Sequence, residues 1–533
     1  MKKHGVLFDI MTGLERRLTT PSEPHQALRR YLTPFYGFTL GLALLLAIFA
    51  SIWRVNPLQG IATSTQEAFT RTTSPTKGST PASVTVAPTS LPAIPPTPNE
   101  MTPSPLGVSA AELRGTTLTL WHPWIGPEGA VLQHILDEFN NTNQWGITVQ
   151  ARGYESFGRL DEAMEAAITS AASPDEPGSL PDVIVDYGYQ ARHWDKADIF
   201  ANLSPYVNDP VWGYASDEQA DFYPAFWGED NVLDLAGDAI KRLGIPFYRS
   251  AYVLFYNQSW GGELGYLKPP STPRDFREQA CAAAKAYANQ ADKSTPGNGG
   301  WLVTPQPGVL VGWLYAFGGS ITDPSEREYV LDNSQTRQAI EYLKGLQVSG
   351  CAWYTTAVDI QVEFANRHAL FMAGSLFDIA ALQQAMEQAG NNDEWVIIPF
   401  PSDSKAVVST YGPSLFLRQS TPAKQLAAWL LIEWLVYPLN QAAWVSELKA
   451  YPTRSSTLNY LGEAAATNPH WAEALELLPD AHSEPGMTSW KVMRWSLSDA
   501  LAQLFDPQLT IDQVPALMEN LNNVATEILA QVP

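Results

Sequence analysis

Apolar residues change their spacing repeatedly along the chain beyond residue 116, and each change predicts a new element of secondary structure. Residues 116–121 (TTLTLW) alternate polar and apolar side chains, which is typical of a half-buried strand. Leu132, Ile135, Leu136 and Phe139 then recur at helical spacing and predict an amphipathic helix. Strands separated by helices indicate parallel βαβ units with right-handed crossovers.

The alternation of strand and helix patterns continues to the C-terminal end. Residues 251–257 (AYVLFYN) are almost continuously apolar, as in a strand that is buried on both faces. Further strands are predicted over residues 147–151, 181–186, 369–372, 395–398 and 415–417. Further helices are predicted over residues 160–172, 273–290, 335–347, 422–436 and 511–530. This α/β pattern is too long for a single sheet, so we predict two α/β lobes.

An apolar segment over residues 35–53 (FYGFTLGLALLLAIFASIW) precedes the α/β region and carries no charge. Its length matches the roughly 20 residues with which a helix crosses a membrane. Basic residues are concentrated before it, at Lys2, Lys3, Arg16, Arg17, Arg29 and Arg30. The positive-inside rule predicts a cytoplasmic segment over residues 1–34, a transmembrane anchor over residues 35–53 and an extracytoplasmic remainder. We therefore expect a single-pass protein of the cytoplasmic membrane.

A cleaved signal peptide is the alternative to this anchor. The apolar and basic parts of a signal peptide are shorter, and it ends at a small-x-small site. Ile48 and Ala50, which flank Phe49, match such a site poorly. No cysteine directly follows the apolar segment, which excludes a lipid-anchored form.

Residues 54–112 form a linker that is rich in threonine, serine, proline and alanine. Such a segment has too little apolar surface to offset the entropy that ordering would cost. Proline also keeps a chain of this kind extended. We predict a disordered spacer between the anchor and a globular region over residues 113–533.

Composition excludes several classes of function. The 533 residues carry 55 acidic and 33 basic side chains, a formal charge of −22, whereas a nucleic-acid site needs a basic face. We therefore expect no nucleic-acid partner. The two cysteines, Cys281 and Cys351, and the eight scattered histidines lack the spacing of metal ligands. We expect no metal and no cofactor.

The order of several motifs resembles the family 1 extracellular solute-binding proteins, the sugar-binding class of ABC import systems. The similarity extends from about residue 116 to the C-terminus. Each motif alone is weak, but the correct order of the whole series is specific, although Asn366 and Arg367 replace a glycine region of the family. The segments that carry the resemblance are TLTLWHPWIGPEGAVLQHILDEFN, LPDVIVDYGYQ, GIPFYRSAYVLFYNQSW, PPSTPRDFREQACAAAK, FANRHALFMAGS, WVIIPFPS, AAWLLIEWLVYPLNQAAWV and AYPTRSS.

The resemblance implies two lobes joined by a hinge, with a small polar ligand in the cleft between them. We expect the first lobe mainly over residues 113–249 with part of 376–430, and the second mainly over 250–375 and 431–533. A ligand that contacts both lobes favours the closed state, which a permease recognises. We therefore expect a monomer that binds a sugar and delivers it to the transmembrane subunits of an ABC permease.

Aromatic and hydrogen-bonding side chains at the predicted cleft are candidates for ligand contacts, because sugars present hydroxyl edges and flat C–H faces. Trp121, His122 and Trp124 follow the first strand, at the edge of a parallel sheet where ligands bind. A core position is the alternative for the two tryptophans. Asp186 and Tyr187 end the third strand, where a helix-capping aspartate is the alternative.

The resemblance adds candidates from the crossover between the lobes and from later segments. Trp313 also fits a buried helical stripe, and Arg454 either binds ligand or holds the hinge region. The positions that the family implies as ligand contacts are Tyr248, Ser250, Trp313, Ser375, Tyr411, Gly412 and Arg454.

Both cysteines fall in the second lobe according to this resemblance. Outside the cytoplasm, that placement implies a disulfide between Cys281 and Cys351. Two separately buried thiols are the alternative.

Other function classes compete with transport. A sensor or a surface carbohydrate-binding protein would share the fold without a permease, and a polyol phosphate is an alternative ligand. A wall-associated hydrolase would need paired carboxylates or a nucleophile motif. Residues 402–405 (SDSK) formally fit SxxK, but they follow a proline and do not start a helix. We expect a binding protein without catalytic residues.

Overall fold

The computed structural model of the protein describes residues 104–170, 180–233, 240–289 and 297–532, which belong to one compact unit. The predicted cytoplasmic segment, the predicted anchor over residues 35–53 and most of the linker lie outside these residues. Within the part of the chain that the structure describes, no helix is long and apolar enough to cross a membrane.

Strands and helices alternate through the described residues. The strands are β1 (Thr117–His122), β2 (Thr148–Gly153), β3 (Val183–Asp186), β4 (Asn231–Leu233), β5 (Ile240–Arg242), β6 (Gly244–Pro246), β7 (Ser250–Asn257), β8 (Gly299–Val303), β9 (Ala352–Tyr354), β10 (Ala369–Ser375), β11 (Trp395–Ile398), β12 (Val408–Tyr411), β13 (Ser414–Leu417) and β14 (Ala481–Ser483). The α-helices are α1 (Gly126–Thr142), α2 (Phe157–Ser170), α3 (Gly188–Asp195), α4 (Ser204–Val207), α5 (Ser216–Ala220), α6 (Pro224–Trp227), α7 (Gln258–Glu263), α8 (Pro273–Ala288), α9 (Pro307–Ala316), α10 (Ser334–Val348), α11 (Ile360–Ala365), α12 (Asp378–Gln388), α13 (Pro422–Leu435), α14 (Pro438–Leu448), α15 (Gly462–Thr467), α16 (Pro469–Glu476), α17 (Trp490–Leu504) and α18 (Val514–Gln531).

The first sheet contains five strands in the order β2-β1-β3-β13-β6. β1 is parallel to β2 and β3, as the alternation of strands and helices predicts. β13 lies antiparallel between β3 and β6. Leu132, Ile135, Leu136 and Phe139, which predict the first helix, are the buried residues of α1.

The second sheet has the order β14-β12-β7-β10-β8-β9, and β11 also pairs with β7. β10 pairs with one edge of β7, and β11 and β12 pair with the other. β7 is buried along its whole length, because Val253 and Phe255 pack into one apolar cluster and Leu254 and Tyr256 pack into another on the opposite face. Helices α9, α17 and α18 contribute buried apolar side chains to the core beside this sheet. The two sheets confirm the predicted two-lobed α/β fold.

The chain passes between the two sheets at neighbouring positions, which form the hinge region. β6 continues into β7 through residues 247–249, and β12 continues into β13 through residues 412–413. Gly412 is required there, because an added Cβ would lie only 2.3 Å from the carbonyl oxygen of Tyr248. A third passage, over residues 449–480, leads to β14.

Arg249 ties these passages together from a fully buried position. Its guanidinium donates to the carboxylate of Glu229 at 2.9 and 2.6 Å. It also donates to the carbonyl oxygens of Tyr248 and Pro413, both at 2.8 Å. The backbone of Arg249 exchanges two hydrogen bonds with Tyr451. Arg249 therefore contacts all three passages, through its guanidinium and through its backbone.

Helices α13 and α14 pack against α1 and lie beside the first sheet. The expectation that residues 431–448 belong to the second lobe is corrected by the structure. The aromatic ring of Trp444 in α14 accounts for the observed position, because it lies 4.6 Å from Trp124 and 5.3 Å from Phe247. The return to the second sheet occurs only after α14.

A disulfide joins Cys281 of α8 to Cys351, which immediately precedes β9. α8 packs against β8, and β9 pairs with β8, so both cysteines belong to the second sheet and its helices. The bond connects positions that are 70 residues apart in the sequence.

Candidate functional site

Aromatic side chains line the first sheet at the carboxyl ends of its parallel strands. Trp124 follows β1 and Phe157 follows β2, whereas Tyr187 and Tyr189 follow β3. The ring centroids of Trp124 and Phe157 are 6.2 Å apart, and those of Phe157 and Tyr187 are 4.6 Å apart. Tyr187 and Tyr189 stack at 5.2 Å. Loops at this edge of a parallel sheet meet, so the four rings form one continuous wall.

The hinge and the second sheet supply a facing aromatic wall. The rings of Tyr252 in β7 and Tyr411 in β12 are 4.9 Å apart. Phe377, just after β10, lies 6.5 Å from Tyr411 and 6.4 Å from Tyr248. Tyr248 also lies 6.0 Å from Trp124, which joins the two walls. Burial raises the pKa of Tyr248, Tyr252 and Tyr411 further above neutral pH, where the hydroxyl of a tyrosine is already protonated and can donate a hydrogen bond.

Arg494 of α17 lies behind the facing wall and is paired with the carboxylate of Glu484. Burial disfavours its charge, but Glu484 and neighbouring tyrosines outweigh burial and raise the pKa of Arg494. Its guanidinium is 5.8 Å from the ring of Tyr411 and donates to the hydroxyl of Tyr252 at 3.4 Å. Trp490 donates its indole N–H to the same Glu484 carboxylate at 3.0 Å. The ion pair of Arg494 and Glu484 therefore places two opposite charges beside the cleft, and these charges sum to zero.

The two walls meet around a small cavity of about 30 Å³, lined among others by Tyr187, Tyr411, Asp230 and Glu484. That volume accommodates a water molecule or two, far less than a sugar ring. A groove of about 930 Å³ continues from Glu484 towards Arg192 of α3. The described conformation is therefore closed at its centre, and a sugar ring would fit between the two walls only if the lobes separated.

The structure brings most of the predicted contact residues to this cleft. Trp124 and Tyr187 lie in the first wall, and Tyr248 and Tyr411 lie in the second. The remaining predicted residues at the hinge side are Ser250, which pairs with Tyr411 between β7 and β12, Ser375 at the end of β10, and Gly412.

Trp313 and Arg454 lie outside the cleft. Trp313 is fully buried in α9, whose residues after Pro307 are all buried, and its ring packs 5.1 Å from Phe276 in the core of the second lobe. Arg454 donates to Asp221 at 2.7 Å and lies 5.1 Å from the ring of Phe222. Both side chains make structural contacts elsewhere in the fold, so neither belongs to the two aromatic walls of the cleft.

Trp121, His122 and Asp186 lie beneath the first wall. Trp121 packs at 4.9 Å against Tyr154. Asp186 is 1% exposed and accepts a hydrogen bond from the backbone N–H of Tyr187 at 2.7 Å. Burial and the nearby carboxylate of Asp161 raise the pKa of Asp186 well above its ordinary value. These residues position the wall rather than extend it.

His122 supports the loop that carries Trp124. Its Nδ1 accepts a hydrogen bond from the backbone N–H of Trp124 at 3.3 Å, and the two rings stack at 5.8 Å. Burial lowers the pKa of His122 from 6.5 to about 4. The imidazole is therefore neutral at neutral pH, which suits its role as an acceptor.

We expect the free energy of unfolding to fall by roughly 2–3 kcal/mol between pH 7 and pH 4.5 because of His122. The unfolded chain binds the proton near pH 6.5, whereas the folded chain binds it only near pH 4. Stability is therefore lost as the pH falls through this window. Urea denaturation of the parent and of His122→Asn at both pH values isolates this contribution.

The matched control for this measurement is His134→Asn, at an exposed position of α1. This variant should keep the full decline of the parent, whereas His122→Asn should lose part of it. An equal decline in the parent and in His122→Asn would refute the role of His122.

Sequence reasoning missed several residues of the cleft. Phe157 and Tyr189 follow strand ends, so the rule that selected Trp124 and Tyr187 would have found them as well. Tyr252 sits inside a fully buried strand, and Phe377 begins a new turn, so neither position has a local signal. Arg494 reaches the cleft only because α17 packs onto the second lobe.

Comparisons with known proteins agree with this geometry. A family model described as bacterial extracellular solute-binding protein matches residues 134–473 of the chain. None of the curated protein sequences compared with the chain matches it.

Solved structures share the fold. The sugar-binding protein MalE from Xanthomonas citri has a TM-score of 0.65 at 20% identity, over 78% of this chain and 98% of its own. The cyclic alpha-maltosyl-1,6-maltose binding protein from Arthrobacter globiformis has a TM-score of 0.62 at 17% identity, over 78% and 99%. UgpB from Mycobacterium tuberculosis, in complex with glycerophosphocholine, has a TM-score of 0.59 at 16% identity, over 78% and 99%.

Proposed function

Because this chain belongs to the bacterial extracellular solute-binding proteins, we propose that its cleft binds an uncharged sugar or oligosaccharide and presents it to the permease of an ABC importer. The observation that carries the choice of ligand is the combination of aromatic walls with carboxylate oxygens that have no partner. It favours a ligand with flat apolar faces and hydroxyl donors.

The unpartnered oxygens lie at the central cavity. In the described part of the chain, Oδ2 of Asp230 and Oε1 of Glu484 are buried without a hydrogen-bond partner, and both residues line the cavity. The hydroxyls of a sugar and of a polyol phosphate can both donate a hydrogen bond to such an oxygen. A polyol phosphate also brings a negative charge close to the two carboxylates, which is unfavourable, so the cavity favours a neutral sugar.

The cations that border the cleft support the same choice. Arg494 is paired with Glu484, and Arg249 is paired with Glu229. An anionic ligand would have to compete with these carboxylates for each guanidinium, which makes anion binding unfavourable.

The transport role follows from closure between two lobes. Trp124 and Tyr187 belong to the first lobe, whereas Tyr252 and Tyr411 belong to the second sheet. A ligand held between these rings stabilises the closed state by its contacts with both lobes. The predicted anchor and linker would keep this domain near the permease, on the extracytoplasmic side.

A sensor that shares the fold would bind a partner other than a permease. Affinity purification of the anchored chain together with its membrane partners would identify which of the two it binds.

A thermal-shift screen tests the ligand class. Maltotriose and other neutral oligosaccharides are compared with glycerophosphocholine on the full chain. We expect a binding sugar at 100 times its Kd to add about 2.7 kcal/mol of stability, with no shift for the phosphodiester. Recovery of the sugar unchanged would exclude a hydrolase, and a shift with glycerophosphocholine alone would overturn the proposal.

Removal of one aromatic wall should weaken sugar binding strongly. We expect Tyr187→Ala and Tyr411→Ala each to raise the Kd roughly 10- to 100-fold, because burying such a ring against a ligand contributes about 1.5–3 kcal/mol. Isothermal titration calorimetry measures the change. Tyr460→Ala is the control, because this residue is 47% exposed and ends the short 3-10 helix Ser455–Tyr460, which follows Arg454. Equal affinities of all three variants would contradict the placement of the site.

A further inference from the structure

Lys491 connects the two lobes at one side of the cleft. It lies in α17, which packs with the second lobe. Its Nζ is 2.6 Å from the carboxylate of Asp161 in α2 and 3.0 Å from the side-chain oxygen of Gln190 in α3. Both partners belong to the helices of the first sheet. This ion pair therefore exists only while the lobes are together.

The acidic partner of Lys491 is one of two neighbouring carboxyl groups. Asp161 and Asp186 interact with each other, and burial raises the pKa of both. In the described residues, Oδ1 of Asp161 and Oδ2 of Asp186 are buried without another hydrogen-bond partner. Lys491 thus supplies the positive charge that faces this carboxyl pair from the opposite lobe.

We propose that Lys491 is a closure residue, which favours the closed conformation by neutralising the carboxyl pair of Asp161 and Asp186 across the cleft. Without its ammonium group, closure would bury the two carboxyl groups with no facing cation. When the lobes separate, the ion pair between Lys491 and Asp161 is broken in any case, so the loss of Lys491 acts mainly on the closed state. The equilibrium between the two conformations then shifts towards the open one.

A second pair crosses the same gap and limits the expected effect. Arg192 of α3 lies 3.2 Å from Glu326 of the second lobe. Its guanidinium is also bound to the carbonyl oxygens of Glu229 and Asn231 at 2.8 and 3.3 Å. This pair remains when Lys491 is replaced, so closure is weakened rather than abolished.

Spin labels on the full chain test the proposal without any ligand. Labels at Ala166→Cys in α2 and Val348→Cys in α10 occupy exposed positions on opposite lobes. Double electron–electron resonance then gives the distribution of interlobe distances. We expect Lys491→Met to populate longer distances than the parent, and Lys491→Arg to restore the parent distribution.

Lys424→Met is the matched control. Lys424 forms an ion pair with Asp182 at 2.9 Å, and both residues belong to the first lobe. Lys424→Met therefore removes one positive charge and one ion pair, as Lys491→Met does, but it removes no contact between the lobes. Its distance distribution should equal that of the parent. If Lys491→Met does not fold, Lys491→Gln removes the same positive charge with a polar side chain and should also lengthen the distances.

The affinity for maltotriose provides a second readout, which rests on the proposed function. We expect Lys491→Met to raise the Kd about tenfold, because part of the binding free energy is then used to close the lobes. If maltotriose does not bind even to the parent, the ligand proposal fails and the distance measurement still decides the role of Lys491. Identical distance distributions for the parent and for both Lys491→Met and Lys491→Gln would overturn the closure proposal.

Discussion

Replacement of Arg249 by methionine lowers the free energy of unfolding by about 3–5 kcal/mol, the cost of removing one partner from a buried ion pair. Arg249 is fully buried, and its guanidinium is bound to Glu229 and to the carbonyl oxygens of Tyr248 and Pro413. In the variant, Oε2 of Glu229 and the carbonyl oxygen of Tyr248 lose their donors at the point where the chain changes lobes. The carbonyl oxygen of Pro413 keeps only the backbone N–H of Phe247, and Oε1 of Glu229 keeps the hydroxyl of Ser483. Guanidinium chloride denaturation measures the difference.

The control for Arg249 is an exposed arginine that also has a carboxylate partner. Arg274 pairs with Glu278 one turn further along α8, and its side chain is 84% exposed. Surface pairs of this kind contribute little. We expect no measurable change in stability for Arg274→Met, and an equally mild effect of Arg249→Met would show that the hinge does not depend on this side chain.

Removal of the disulfide has the second largest expected effect. The chain-entropy relation for a loop closed over 70 residues gives about 4 kcal/mol of stabilisation, because the bond restricts the unfolded chain. We expect the double variant Cys281→Ser/Cys351→Ser to lose this amount in equilibrium denaturation. Treatment of the parent with a reducing agent should reproduce the loss and should leave the variant unchanged. A variant as stable as the oxidised parent would contradict this contribution.

The fold was largely predictable because its elements have strong local patterns. The apolar run at 251–257 is the fully buried β7, and the helical repeat of Leu132 to Phe139 is the buried face of α1. The position of α14 was not predictable in the same way. Nothing in the local pattern of residues 438–448 shows that Trp444 packs on Trp124 and Phe247, because this contact joins distant parts of the chain.

The candidate site was predictable where a residue follows a strand. Trp124 and Tyr187 stand at such positions, and the structure places both in the cleft wall. Trp313 has the right residue type, but α9 is apolar on all sides and is buried on all sides. Arg454 has hydrogen-bond donors that could bind a ligand, but its guanidinium is already paired with the carboxylate of Asp221. Residue type alone does not reveal which side chains already have a partner.

The place of β13 in the first sheet has a consequence for biosynthesis. This strand lies between β3 and β6, although it follows the whole of β7 to β12 in the chain. Until the ribosome has made residues 414–417, the edges of β3 and β6 have no neighbour and are open to pairing with other chains. Nascent or truncated chains that end before β13 should therefore aggregate. Folding should also be slow, because the pairing of β13 with β3 and β6 joins segments that are far apart in the sequence.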